Sequence, residues 1–166
     1  MIAILEVHDV TGKDDTSLLE TAADYWIEVK EALIGKENYV ILNIANEWVG
    51  NWDGQKWCDG YTSVIPRLRE AGIKNTIIVD AAGWGQYGQS VTDYGEQVFA
   101  ADPDANTMFS VHMYGTAGKN KATIARNLKL STDKGLCMIV GEFGWNHSDG
   151  DVDEEYILEY CNETVS

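Results

Sequence analysis

Positive charge is scarce in this sequence. Only 12 of its 166 residues are Lys or Arg, against 27 Asp and Glu, and the formal net charge at pH 7 is −15. A surface this acidic repels nucleic acids and anionic membranes, so we expect neither as a partner. A neutral ligand such as a sugar would be indifferent to the charge.

Long apolar runs, processing signals and dividing segments are also lacking. No apolar run is long enough to cross a bilayer. The first residues, MIAILEV, have neither a basic start nor a small-residue cleavage site, so they show no signal peptide. Because no linker, low-complexity tract or charge block divides the chain, we expect one domain over residues 1–166.

Cysteine is rare as well. Cys58, Cys137 and Cys161 are too few and too scattered for a disulfide framework or a metal knuckle. Buried free thiols are the favoured interpretation. A single bridge between Cys137 and Cys161 stays open if a strand start and a helix end meet.

Short apolar runs alternate with helical patterns along the whole chain. The apolar runs cover residues 2–9, 40–47, 76–83, 107–115 and 136–144. Between and after them, helical spacing covers residues 15–33, 54–71, 91–100, 119–134 and 153–163, with 91–100 the weakest pattern. Thr16 is the expected cap of the first helix, and Gly72 and Gly135 suit helix ends. Strands and helices in this alternation predict βαβ units and a parallel sheet.

Two α/β architectures compete, an open doubly wound sheet and a (β/α)8 barrel of the TIM type. The open sheet usually carries a Gly-rich phosphate turn, but AGWGQYG follows its glycines with Gln and Tyr rather than a helix start. Polar residues instead gather at the strand ends: His8, Asp9, Asn46, Glu47, Asp80, His112, Tyr114 and Glu142. Because barrels build active sites at this rim, the barrel type is predicted.

Two of these strand-end acids stand out. Glu47 and Glu142 each close a buried strand, and an aromatic residue follows each at once. A buried, unpaired carboxylate is costly, which favours a functional role for both. Two carboxylates that converge from different strands suit glycosidic bond cleavage, in which one protonates the leaving oxygen and the other attacks or activates water.

The remaining strand-end residues also have simpler interpretations. Asp9 and Asp80 have nothing to separate them from solvated loop or helix-capping acids. His8 and His112 would serve equally as hydrogen-bonded core histidines, and Tyr114 would serve as a packing residue with its hydroxyl on a carbonyl.

Tryptophan and tyrosine are abundant relative to phenylalanine, at 6, 8 and 3 residues. Such amphipathic rings suit binding clefts, since their faces stack on the apolar face of a sugar. We expect substrate contact for Trp84 and Trp145, which lie just beyond strand ends. For Trp48 and Trp52 packing and substrate contact are equally favoured. Trp26 and Trp57 fall at helical positions and are expected in the core.

Five motifs in order carry a family resemblance. LEVHD, NIANEW, IVDAAGWGQ, FSVHMYG and IVGEFG, on successive predicted strands, resemble glycoside hydrolase family 5, which belongs to a clan of retaining (β/α)8 hydrolases. The tail GEFGWNHSDGDVDE is most similar to the bacterial endo-β-mannanase branch, with cellulases as near relatives. The resemblance covers essentially the whole chain and implies hydrolysis of a β-1,4-linked plant polysaccharide, with mannan preferred over cellulose.

The resemblance also implies a role for each matching residue. Glu47 would be the general acid/base and Glu142 the nucleophile of a retaining mechanism, with carboxyl groups about 5–5.5 Å apart. The supporting set would be Asn46 on the sugar 2-hydroxyl, Tyr114 on the nucleophile, His112 beside the acid/base, and His8 on the cleft floor. Neither a metal nor another cofactor is implied. An extracellular location is implied because a polymer cannot enter a cell.

One local distortion and one global gap follow. Asn46 and Glu47 are adjacent and would point to opposite faces of a regular strand, so we expect a twist or bulge there. Only five βα units are present, resembling strands three to seven of the family, whereas a closed barrel has eight. An Arg that supports the nucleophile and a Trp that floors the cleavage subsite in the family have no counterpart here. Open sheet edges predict self-association.

Three alternatives to a mannanase stay open. A cellulase would share the family, and a non-catalytic carbohydrate-binding fragment would keep the aromatic cleft without turnover. A metal-dependent sugar isomerase would use the strand-end His, Asp and Glu residues as ligands. The acidic run HSDGDVDEE resembles the start of a calcium loop but lacks its closing Glu, so helix capping is the favoured explanation.

Overall fold

The computed structural model describes residues 1–164. Five parallel strands form one sheet: β1 (Ala3–Glu6), β2 (Val40–Asn43), β3 (Ile77–Asp80), β4 (Thr107–Met113) and β5 (Met138–Phe143). A helix follows each strand: α1 (Thr16–Glu28), α2 (Gly54–Glu70), α3 (Gly88–Ala100), α4 (Lys121–Thr132) and α5 (Glu154–Thr164). A short antiparallel hairpin, β6 (Asn146–His147) and β7 (Gly150–Asp151), lies between β5 and α5.

The order of the strands decides between the two architectures. The order is β1-β2-β3-β4-β5, and every pair is parallel. Right-handed crossovers that always advance in one direction put all the helices on one side of the sheet, and each helix packs against the next. A doubly wound sheet would need a reversal of this order. The predicted barrel type with five βα units is therefore confirmed, as a partial barrel.

The two faces of the sheet differ in chemistry. Alternate strand residues point to opposite sides, and the side under the helices is apolar. The buried core there includes Leu42, Ile77, Val79, Phe109 and Val111. The other side is concave and largely polar, around a cavity of about 200 Å³ lined by Glu6, Asn43, Asp80, Ser110, His112 and Glu142 together with Ile4, Ile78, Ile139 and Gly141. Polar strand residues thus share the inner face of the partial barrel.

Two helices, α1 and α3, differ most from their predicted bounds. The first is shorter than expected: α1 ends at Glu28 and a 3-10 turn, Lys30–Ala32, follows. Asp15 caps it rather than Thr16, since the Asp15 carboxylate accepts a hydrogen bond from the Ser17 amide at 2.9 Å.

The third helix is longer than its sequence pattern indicated. It begins at Gly88, so the AGWGQYG segment does lead into a helix. Gly83, Trp84 and Gly85 all have positive φ and fold the chain into a tight loop, which the periodicity of apolar residues does not reveal.

The thiols are free, as the favoured interpretation expected. Only Cys58 is buried, whereas Cys137 is exposed and Cys161 is half-buried. The expectation that all three thiols are buried was therefore wrong for Cys137, which precedes β5 at the end of the sheet, and for the half-buried Cys161. The structure has no Cys137–Cys161 bridge.

A buried ion pair ties together the amino-terminal end of the sheet. Nε and Nη2 of Arg69, on α2, each donate to a different oxygen of Asp102 at 2.8 Å. Nη1 donates to the carbonyls of Ile73 and Asn75, both at 2.8 Å. Because α2, the approach to β3 and the approach to β4 meet at this guanidinium, the pair fixes the sheet at the end opposite the polar rim.

The outer strands of the sheet are open. Among the described residues, 1–164, β1 and β5 each pair with only one neighbouring strand, and Ile4 and Leu5 of β1 are 51% and 40% exposed. Barrel closure is what normally removes such edges. Within residues 1–164, no helix combines the length and the apolar character needed to cross a bilayer.

Candidate active site

Glu47 stands on an irregular piece of backbone just past β2. The strand ends at Asn43, and Glu47 has a φ of 49°. This left-handed conformation is costly for a residue with a Cβ, and specific contacts maintain it here. Asp80 accepts from the Glu47 amide at 2.9 Å, and the Glu47 carbonyl accepts from the Gly12 amide at 3.1 Å. The expected distortion is present, as a left-handed residue rather than a bulge between paired strands.

The two strand-end glutamates face each other. One carboxylate oxygen of Glu47 and one of Glu142 lie within 4.8 Å of each other and of a nitrogen of His112. Glu47 is 8% exposed, whereas the Glu142 side chain is 33% exposed. The Glu47 carboxylate is therefore enclosed, and that of Glu142 is open to the cleft. Their separation would allow one to protonate the oxygen of a bond while the other attacks its carbon.

His112 sits between the acids on the inner face of β4. Its Nδ1 lies 2.8 Å from Oε1 of Glu47 and 3.7 Å from Oε2 of Glu142, and its Nε2 lies 3.3 Å from Oδ1 of Asp80. Burial lowers the pKa of His112, but the carboxylates of Asp80 and Glu47 outweigh it and raise the pKa to about 10. His112 is therefore an imidazolium at neutral pH.

Two backbone features aim this imidazole. The register of β4 against β5 shifts between Val111 and His112, which turns the side chain toward both glutamates. Gly85 lies against the ring, where a Cβ would collide with it, and its carbonyl accepts from the His112 amide at 2.8 Å. The glycine-rich loop after β3 therefore serves to support His112.

Asp80 is the functional residue that sequence reasoning missed. It is fully buried and accepts hydrogen bonds from Nδ2 of Asn43 and from the Glu47 amide, both at 2.9 Å. Burial raises the pKa of Asp80, but contacts with His112 and Asn43 outweigh it, so the pKa is lowered. The available signal was its place at the end of a solid apolar strand, the same signal that distinguished Glu47.

Tyr114 holds the second glutamate. Its hydroxyl donates to Oε2 of Glu142 at 2.7 Å. Burial and this hydrogen bond to Glu142 raise the pKa of the Tyr114 phenol well above its usual range, so it stays a donor. Glu142 thus keeps its other oxygen for the cleft.

Asn46 and His8 meet beside the pair. Nδ2 of Asn46 lies 3.2 Å from Nε2 of His8 and donates to the Thr11 hydroxyl at 3.0 Å. Asn46 is buried, and among residues 1–164 no partner reaches its Oδ1. This amide oxygen is itself shielded from solvent by the surrounding residues. His8 is largely exposed, with 64% of its side chain accessible.

The tryptophans divide between cleft and core. Trp84 is 48% exposed, has a φ of 59°, and lays its ring on Gly12, where no Cβ would fit. Trp145 is 77% exposed beyond β5, and Trp52 is 52% exposed with its ring 4.9 Å from that of Tyr87. Trp48 is fully buried, which excludes the substrate contact held open for it. Trp26 and Trp57 are buried as expected.

The acidic run after β5 has two separate tasks. Asp153 accepts from the Tyr156 amide at 3.2 Å and caps α5, as expected. Asp149 does not cap a helix. It accepts from the amides of Gly115 and Thr116 at 3.1 and 2.8 Å, so it joins the loop after β5 to the loop after β4.

Two groups of residues have metal-compatible donors, within residues 1–164. These are Glu6, His8 and Glu142, and Glu47, His112 and Glu142, each with ligand atoms within 4.8 Å of one another. In the second group, Nδ1 of His112 lies 2.8 Å from Oε1 of Glu47, and its Nε2 lies 3.3 Å from Oδ1 of Asp80. Both ring nitrogens therefore already face carboxylate oxygens of the chain.

Comparisons with known proteins agree with this geometry. The sequence model of the family described as Cellulase (glycosyl hydrolase family 5) matches residues 1–165. The mannan endo-1,4-beta-mannosidase of Salipaludibacillus agaradhaerens is 59% identical over 164 residues, which are 99% of this chain and 53% of that protein. The beta-mannanase/endoglucanase A of Caldicellulosiruptor saccharolyticus is 44% identical over 167 residues, 96% of this chain and 12% of that protein.

Solved structures give the same result. The beta-mannanase from Thermomonospora fusca superposes with a TM-score of 0.90 at 43% identity, covering 98% of this chain and 56% of that one. The chain thus spans about half the length of this enzyme and of the Salipaludibacillus relative. With the family match running over nearly every residue, this chain belongs to glycosyl hydrolase family 5.

Proposed function

We propose that this chain carries the catalytic residues of a retaining endo-β-1,4-glycosidase that acts on β-mannan. The observation that supports it best is the approach of Glu47 and Glu142 to within 4.8 Å, since retaining enzymes place their carboxyl groups about 5–5.5 Å apart. An inverting enzyme leaves about 6.5–9.5 Å for a water molecule between them.

In the first step Glu142 is the nucleophile. Its carboxylate oxygen attacks the anomeric carbon of the sugar, and the bond from that carbon to the linking oxygen breaks. The electron pair goes to the linking oxygen, which takes a proton from Glu47 and departs as the free hydroxyl of the shortened chain. Tyr114 orients the attacking carboxylate through its 2.7 Å hydrogen bond.

In the second step the roles of Glu47 reverse. Glu47, now a carboxylate, takes a proton from water as the water oxygen bonds to the anomeric carbon. The ester bond to Glu142 breaks, and its electron pair restores the Glu142 carboxylate. Nδ1 of His112, 2.8 Å from Oε1 of Glu47, would hold this acid/base in place through their hydrogen bond.

Binding groups surround the pair. The Asn46 amide would contact the sugar 2-hydroxyl, and His8, whose Nε2 lies 3.2 Å from Nδ2 of Asn46, would support that amide. The exposed rings of Trp84 and Trp145 would stack on sugar faces on either side of the cleaved linkage. Mannan rather than cellulose is favoured by the relatives, and a solved complex of the Thermomonospora fusca enzyme holds mannohexaose. An extracellular site of action follows from the size of such a polymer.

A chimera tests the site without requiring the open half-barrel to act alone. In it, the matching stretch of the Salipaludibacillus mannosidase is replaced by residues 1–164 of this chain, so that the relative supplies the other barrel strands. We expect the chimera to release reducing ends from β-mannan faster than from carboxymethylcellulose. Glu47→Gln and Glu142→Gln should each abolish this release, whereas Glu20→Gln on exposed α1 should not. Full activity of Glu142→Gln would refute the mechanism, and preference for cellulose would identify an endoglucanase.

A binding-only role is the second candidate, because the sheet is open at β1 and β5. Calorimetry on the isolated chain with mannohexaose, with product analysis of the same sample, separates binding from turnover. Binding without products in both the chain and the chimera would establish this alternative. Trp84→Ala should weaken binding in either case.

A further inference from the structure

The β6–β7 hairpin is a small structure with an unusual concentration of contacts. His147 pairs with Gly150 across it, so Ser148 and Asp149 form its turn. The backbone of Gly115, beyond β4, approaches the turn so closely that a Cβ on Gly115 would collide with Gly150 and Asp149. The hairpin is therefore docked on the loop after β4, which carries Tyr114.

The Asp149 carboxylate is the centre of this docking. Oδ1 accepts from the Gly115 amide at 3.1 Å and lies 2.7 Å from Nδ1 of His147. Oδ2 accepts from the Thr116 amide and hydroxyl, both at 2.8 Å, and from Nε2 of Gln86 at 3.1 Å. Burial raises the pKa of Asp149, but the hydrogen bonds from His147, Thr116 and Gln86 outweigh it and hold the pKa far below its usual range. One charge thus joins the loops that follow β3, β4 and β5.

His147 connects this centre to the proposed nucleophile. Its ring lies 4.6 Å from the ring of Tyr114, at an interplanar angle of 33°. The Tyr114 hydroxyl, at the far end of that ring, donates to Glu142. We propose that Asp149 is a positioning residue, which fixes His147 against Tyr114 and so keeps the Tyr114 hydroxyl on Glu142. The proposal rests on the proposed function of Glu142.

The geometry explains why an indirect contact would matter. Tyr114 lies outside β4, so the sheet ladder does not set the orientation of its ring. The ring is instead fixed by its neighbour on the hairpin and by its hydroxyl partner. A side chain that positions a reacting group needs such a second support, and a displacement of about 1 Å can cost on the order of a hundredfold in rate.

The first test reads Tyr114 directly and needs no activity. The chain is labelled with ¹³C at the Tyr ring carbon that bears the hydroxyl, and the Tyr114 resonance is assigned with Tyr114→Phe. Asp149→Ala should move and broaden that resonance, and His147→Ala should produce the same change. Asp149→Asn, which keeps one acceptor oxygen, should fall between. Asp151→Asn is the matched control, because it removes the same charge from the same hairpin and should leave the resonance in place.

The second test uses the chimera and a double-mutant cycle. Asp149→Ala should lower kcat on mannohexaose about tenfold to a hundredfold while KM changes by less than about threefold, because orientation of the nucleophile is lost and sugar contacts are kept. In a Tyr114→Phe background the same substitution should change kcat by less than about twofold, since its route to Glu142 is already broken.

The outcomes of the two tests are distinguishable. An unchanged Tyr114 resonance in both Asp149→Ala and His147→Ala would overturn the inference, and so would full additivity of Asp149→Ala with Tyr114→Phe. If Asp149→Ala fails to fold, His147→Ala replaces it in the double-mutant cycle with Tyr114→Phe, because it deletes a half-exposed ring and leaves the loop hydrogen bonds to Asp149 in place. Failure of the proposed function would appear separately, as an inactive chimera or an active Glu142→Gln variant.

Discussion

The Asp80 carboxylate accepts a hydrogen bond from the backbone amide of Glu47 at 2.9 Å, and its other oxygen faces His112 at 3.3 Å. One buried charge at the end of β3 therefore stabilises the left-handed backbone of Glu47 and also keeps the imidazole beside it protonated. The conformation of Glu47 and the electrostatics of its neighbour depend on the same residue.

Asp80→Asn should separate these two effects. The amide oxygen still accepts from Glu47, but the negative charge beside His112 is gone, so the pKa of His112 should fall from about 10 by at least about one unit. The measurement is an NMR titration of the His112 ring. Asp9→Asn, which removes an exposed charge near the same rim, should leave that pKa unchanged; an equal fall there would show a general field effect instead.

Because of His112, the free energy of unfolding should also decline at alkaline pH. Its folded pKa of about 10 lies above the unfolded value near 6.5, so its stabilising contribution is fully present below about pH 6.5 and is lost as pH rises through about 10. Urea unfolding at pH 6 and pH 10.5 should show this loss in the wild-type chain and a smaller loss in His112→Gln. An equal loss of unfolding free energy in the two proteins would contradict the raised pKa of His112.

The Arg69–Asp102 pair predicts an acid limit. Asp102 has a pKa of about 2 in the folded chain against 3.8 for the free side chain, so it contributes about 2 kcal/mol above pH 4, which is lost as pH falls toward 2. Asp102→Ala leaves the buried Arg69 guanidinium without its bidentate counter-ion and should lower the free energy of unfolding by about 3 kcal/mol or more at neutral pH. Asp104→Asn removes a more distant, partly exposed partner of Arg69 and should cost far less.

Leaving-group chemistry should distinguish the two glutamates in the chimera. The dinitrophenolate of a dinitrophenyl β-mannoside leaves without needing a proton donor. Glu47→Ala should therefore still form the glycosyl-enzyme from this substrate, whereas its rate of mannan hydrolysis should fall by about a hundredfold or more. Glu142→Ala should lose both the formation of the glycosyl-enzyme and the hydrolysis of mannan. Added azide should give a β-configured mannosyl azide with Glu47→Ala, and the α-anomer with Glu142→Ala, as NMR of the product will show. Reversed outcomes would exchange the two roles.

The open edges predict that copies of this chain associate. Static light scattering after gel filtration should give a mass above the 18.4 kDa of one chain, rising with concentration. Ile4→Lys puts a charge on the exposed edge strand β1 and should shift the mass toward the monomer. Ile34→Lys, equally charged and 41% exposed but away from the sheet, is the control. A constant 18.4 kDa for the wild-type chain would refute the prediction.

Local patterns were sufficient for much of the fold. Short apolar runs predict the five strands of the sheet and helical spacing predicts the five helices, and glycines such as Gly72 and Gly135 mark helix ends where positive φ is required. Polar residues that close solid apolar strands predict a shared rim, and Glu47, His112 and Glu142 do meet there. These inferences succeed because they depend on backbone geometry that each short segment imposes by itself.

Tertiary structure alone decided how these side chains are used. Asp80 looked like a loop acid and Asp149 like a helix cap, yet Asp80 reaches Asn43, 37 residues away, and Asp149 reaches Thr116, 33 residues away. Trp48 and Trp84 both follow strands, yet one is buried and the other exposed. The periodicity of a segment predicts which face of the strand or helix a residue occupies, but it does not predict which distant residue contacts it. The hydrogen bonds and the burial of a charge depend on contacts between distant segments, and these contacts form only when the strands pack side by side.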